Sequence, residues 1–121
     1  MTLDDYNRFC AALPATSHVV QWGGAHVWKV GDKVFAIAGW DEGREVAVTF
    51  KVSDAAYDIL KDQPGLRPAP YLASRGMKWI QRRTSETMDG AALRDYLRES
   101  HRLVAAKLTA KARTALGLTA M

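Results

Sequence analysis

The fold is decided by the stretch Ala25 to Ala38, A-H-V-W-K-V-G-D-K-V-F-A-I-A. Two six-residue runs rich in Val, Ile and aromatic residues flank a Gly31-Asp32 pair, a composition that specifies a tight two-residue β-hairpin. The same chemistry continues outward. His18 to Trp22 precedes a Gly23-Gly24 turn, and Glu45 to Lys51 follows Asp41-Glu42-Gly43. The four runs predict an antiparallel meander. Upstream, Thr2 with Asp4 and Asp5, then Tyr6, Phe9, Cys10 and Leu13, carries an N-cap, first-turn acids and a helical apolar stripe, so a helix is expected over residues 3 to 12, ended by Pro14.

Downstream, Ser53 caps a short helix that Pro64 and Gly65 stop. A Pro-rich connection leads to one further strand, Trp79 to Arg83. From Asp89 the apolar residues Leu93, Tyr96, Leu97, Leu103, Val104 and Leu108 recur on one helical face, and Thr109 and Gly117 bracket a terminal helix. The order predicts an α+β fold: one domain over residues 1–121, its antiparallel sheet covered on one face by the N- and C-terminal helices. At 121 residues and 48% apolar content the chain buries a self-sufficient core without a metal or disulfide staple. The lone Cys10 excludes an internal disulfide, and no run is long enough to span a bilayer, so the expectation is a cytoplasmic protein without membrane contact.

Charge is unevenly placed. Residues 1 to 66 hold six Lys and Arg against nine Asp and Glu, a balance of −3; residues 67 to 121 hold eleven against four, a balance of +7. Such polarity steers a protein toward polyanions. The stretch Pro64 to Arg83 concentrates it, with Arg75, Lys78, Arg82 and Arg83 around Trp79, and these four are the expected nucleic-acid contacts. Strand alternation would put Lys78, Ile80 and Arg82 on one side and Trp79, Gln81 and Arg83 on the other. Arg94, Arg98 and Arg102 also line one side of the long helix, but Asp95 and Glu99 run beside them and favour local ion pairs. Among the tryptophans, the turn-proximal Trp22 and Trp40 are the expected exposed platforms for stacking or partner contact.

Enzymatic signatures are lacking. His18, His26 and His101 come with no closely spaced Cys or carboxylate set, so no metal is assigned, although His18 and His26 can approach across a hairpin. No Gly-x-Ser-x-Gly or P-loop spacing occurs, and the adjacent acids sit at a helix start and in a turn. No cofactor or catalytic residue is expected.

The ordered segments Ala12-Leu13-Pro14, Trp28 to Ala36, Thr49-Phe50-Lys51-Val52, Pro68-Ala69-Pro70-Tyr71-Leu72, Met77-Lys78-Trp79-Ile80 and Leu97 to Val104 resemble the MmcQ/YjbR family of small bacterial proteins. The resemblance implies a CyaY-like fold with a double-wing arrangement and a DNA-binding role without established catalytic residues. Iron-binding relatives of that fold use an acid-rich first helix, where this chain has only Asp4 and Asp5. His101 stands where the family pattern has tyrosine. The expected function is therefore non-enzymatic DNA binding through the basic later half; the alternatives are a protein-interaction domain using Trp22, Trp28 or Trp40, and a small-molecule enzyme if a pocket with convergent polar groups exists.

Overall fold

The computed structural model describes residues 1–39, 45–70, 72 and 75–118. Helix α1 (Leu3–Ala12) begins with the expected chemistry: Thr2 Oγ1 accepts from Asp5 N while Asp5 Oδ2 accepts from Thr2 N, closing a capping box. The meander follows as β1 (Thr16–Gln21), β2 (Ala25–Val30), β3 (Lys33–Ala38) and β4 (Val48–Lys51). β4 is shorter than the expected Glu45 to Lys51. Glu45 instead turns its carboxylate to the backbone N–H of Ser85, 3.0 Å away. Gly31 and Asp32 both take positive φ, 54° and 63°, as the tight β2–β3 turn requires. A side chain at Gly31 would also meet a Leu108 methyl at 2.7 Å, which would have to shift to admit it.

Helix α2 (Asp54–Leu60) is capped by Ser53 and leads into β5 (Leu66–Pro68), a strand that the Pro-rich composition concealed. β6 (Trp79–Arg82) then inserts between β4 and β5, giving one antiparallel sheet ordered β1-β2-β3-β4-β6-β5. The three-residue β5, closed by Pro68, is a short edge unsuited to further pairing. Helices α3 (Gly90–Ala105, capped by Asp89) and α4 (Ala110–Ala115, capped by Thr109) complete the chain.

One sheet face carries the main core. Tyr6 and Cys10 of α1, Leu93, Leu97 and Val104 of α3, and Leu108 and Leu118 pack on Phe35, Ala36, Phe50 and Ile80. Full burial of each large side chain contributes roughly 1.5–3 kcal/mol relative to exposure. A register shift after Trp28 pairs Trp28 with Ala36 but Lys29 with Val34, leaving Phe35 as an extra residue. This bulge turns both Phe35 and Ala36 into the helical core and leaves Val34 and Ile37 for the opposite face. There Val27 and Ile37, with Val19, Val34 and Leu72 against them, form a second, smaller apolar cluster.

Candidate functional site

The four basic residues expected to act together are separated by the sheet. Arg75 and Lys78 are exposed just before β6, and Lys78 Nζ stands 4.6 Å from the centroid of the Tyr57 ring. Arg82 is not a surface residue at all: it is 1% exposed on the helical face. Its Nε donates to Met88 O at 3.0 Å and its Nη1 lies 3.8 Å from Glu45 Oε1, so it ties β6 to the segment entering α3. The physical reason is that β6 is an interior strand covered on both faces, with Trp79, Ile80, Gln81 and Arg82 all buried. Alternation selects a face, but neither face here reaches water. Arg83 is exposed at the other end of the strand, where its N–H bonds Gly65 O at 2.7 Å. Five strand steps put it roughly 16 Å from Lys78.

A different basic group does converge. Antiparallel order places the start of β3, the end of β4 and the start of β6 at one end of the sheet, where α3 also finishes. Lys33, Lys51, Lys78 and Lys107 come from those four positions. Lys33, Lys51 and Lys107 border a groove of about 380 Å³ whose walls are Val34, Ile37, Leu72, Met77 and Trp79, with Trp22 at its far rim. An adjoining cleft of about 320 Å³ shares Lys51 and Lys107 and adds Lys78 and Asp54. Among the described residues none of these four lysines forms an ion pair. Two of the three arginines of α3 behave oppositely, Arg98 pairing with Asp95 at 2.7 Å and Arg102 with Glu99.

Lys51 is held from below. Ser100 of α3 projects into the core, its Oγ donating to Phe35 O at 2.6 Å and accepting from Lys51 N at 2.9 Å. One hydroxyl thus links the β3 bulge, the last residue of β4 and the long helix. Burial, the Lys107 amine hydrogen-bonded beside it and the charges of Lys107 and Lys33 push the Lys51 amine down to about 8.

The tryptophans divide by depth. Trp28 is buried, donating from Nε1 to Asn7 Oδ1 at 2.9 Å, which removes it as a partner contact. Trp79 is 5% exposed and forms groove wall, whereas Trp22, at φ 53° in the β1–β2 turn, is 53% exposed as expected. Trp40 lies outside the described residues. His18 and His26 do meet across their hairpin, Nε2 to Nδ1 at 3.0 Å, with His18 stacked on Trp28. His101 is buried and structural, its Nε2 at 2.8 Å from Pro14 O and its ring edge-on to Phe35. No group of three or more metal-ligating side chains occurs among the described residues. Nor, among those residues, is any helix long and apolar enough to cross a membrane.

Lys33, Lys51 and Lys107 were not among the expected contacts. They are isolated along the chain, and only strand order brings them together.

Comparison with known proteins agrees with this architecture. The family model described as YjbR matches residues 11–103. A Deinococcus radiodurans protein with a DUF419 domain superposes with a TM-score of 0.83 at 24% identity, over 97% of this chain and 88% of that one. A Pseudomonas syringae protein superposes with a TM-score of 0.68 at 16% identity, over 86% and 99%. No curated protein matches the chain.

Proposed function

The chain belongs to the YjbR family, and from its architecture we propose that it is a non-enzymatic, cytoplasmic nucleic-acid-binding module acting on DNA through the basic end of the sheet. One observation carries the reading: Lys33 of β3, Lys51 of β4, Lys78 just before β6 and Lys107 just after α3 converge there without an ion-pair partner among the described residues, with exposed Arg75 nearby in sequence to Lys78. Cations already neutralised by neighbouring carboxylates gain little from a phosphate, whereas unpaired ones gain its full attraction and release condensed counterions. The interface is therefore Arg75, Lys78, Lys33, Lys51 and Lys107, and Arg82 is excluded from it by burial.

Fluorescence anisotropy with labelled duplex and single-stranded DNA at two salt concentrations tests the proposal. Five phosphate contacts predict a loss of affinity of about five-hundredfold between 50 and 200 mM salt. Absence of binding to either form at the lower salt refutes it.

A further inference from the structure

The groove beneath the lysines has the character of a small-molecule site. Its walls are apolar along nearly their whole length, supplied by Val34, Ile37, Leu72, Met77 and Trp79. The positive groups stand at one end, where β3 begins, β4 ends and α3 has just finished. A volume of about 380 Å³ lies in the range of ligand pockets. A phosphodiester backbone would use the amines and leave that apolar wall unemployed.

We propose that this groove binds a small amphiphilic anion, its single carboxylate or phosphate held by Lys51, Lys107 and Lys33 and its alkyl or aryl body laid along Val34, Ile37 and Trp79. Charge complementarity selects the head. Three amines gather with no ion-paired carboxylate among the described residues, an arrangement that opposes folding through mutual repulsion and that one anion relieves. Burial first, and then the neighbouring Lys107 and Lys33, lower the proton affinity of Lys51. The Ser100 hydroxyl fixes the backbone of Lys51 to the bulge at Phe35, so the amine projects from a rigid base. The bulge also aims Val34 and Ile37 into the groove, so head site and body site have one structural origin.

This inference shares Lys33, Lys51 and Lys107 with the nucleic-acid reading but does not rest on it. It places the ligand inside the groove, where a bulky side chain blocks it without altering charge.

Octanoate is the probe, with octan-1-ol as the body without the charge and inorganic phosphate as the charge without the body. Titration at pH 7, followed by calorimetry and tryptophan fluorescence, is expected to show octanoate binding at least tenfold more tightly than either comparator. Lys51→Gln is expected to weaken octanoate about tenfold. Val34→Trp and, at the exposed mouth, Met77→Trp are each expected to abolish octanoate binding in a protein whose circular dichroism matches the parent's. Equal binding of octanoate and octan-1-ol overturns the proposal, as does undiminished octanoate binding in a folded Met77→Trp protein. Loss of DNA binding in the parent protein with octanoate binding retained removes the nucleic-acid reading and leaves this one standing.

Discussion

The outer face of α3 and the basic end of the sheet carry the same sign of charge and differ in what that charge is doing. On α3, Arg98 and Arg102 each have an acid three residues earlier, Asp95 and Glu99, and the pairs sit in solvent. At the sheet end, Lys33, Lys51, Lys78 and Lys107 come from distant parts of the chain, and none has an ion-pair partner among the described residues. Local spacing neutralises the first group, whereas topology assembles the second and leaves it uncompensated. Clustered charge in a sequence thus identifies a solvated ridge as readily as a site, and pairing decides between them.

The sharpest way to break this contrast is to remove two cations from each region. Lys51→Gln with Lys107→Gln is expected to weaken DNA binding about thirtyfold at low salt and to flatten its salt dependence, while Arg98→Gln with Arg102→Gln changes affinity less than twofold. Equal losses from both pairs, measured by anisotropy, erase the distinction. A chemical contrast follows from the Lys51 amine at about 8, because a larger share of it is unprotonated near neutral pH than of an ordinary lysine. Limited acetylation at pH 7.5 with peptide mass spectrometry is expected to modify Lys51 on the order of tenfold faster than exposed Lys111. Octanoate is expected to slow it. Uniform labelling of the two lysines defeats the claim.

The support beneath the site can be weighed separately from its charge. Ser100→Ala removes the hydroxyl shared by Phe35 O and Lys51 N. Leaving those buried backbone groups short of a partner is expected to cost about 1–2 kcal/mol in urea denaturation. Arg98→Ala, which breaks an exposed ion pair and a cation–π contact with the Phe9 ring at 5.0 Å, is expected to cost under about 1 kcal/mol.

Much of the fold was legible because it is written locally. Thr2, Ser53, Asp89 and Thr109 each cap the helix that follows, and Gly31-Asp32 makes the tight turn between two strands found at their expected limits. β5 was not legible, since three residues ending in Pro68 carry no alternation and gain strand geometry only by pairing with β6. The site was less legible still. Lys33 and Lys51 lie eighteen positions apart, and Lys107 is far beyond both; their meeting depends on antiparallel order and on where α3 stops. One local signal did exist: Ser100 stands on the apolar face that holds Leu93, Leu97 and Val104, and a hydroxyl there must find a buried partner.

Arg82 offers the smallest expected effect and the cleanest separation of composition from structure. By composition it belongs with Arg75, Lys78 and Arg83; by position it is a buried cation whose Nε bonds Met88 O. Among the described residues its Nη atoms have no hydrogen-bond partner, and the carboxylate of Glu45 is 3.8 Å from Nη1. Burying a guanidinium with so little compensation is costly, so an apolar side chain of similar length offsets part of what is lost with the Met88 O and Glu45 contacts. Arg82→Met is accordingly expected to remain folded and to bind DNA within twofold of the parent in an anisotropy titration, despite losing one positive charge. A loss approaching that of the sheet-end lysines would mean that the Arg82 charge acts on the ligand through the core, and burial would no longer separate it from the site.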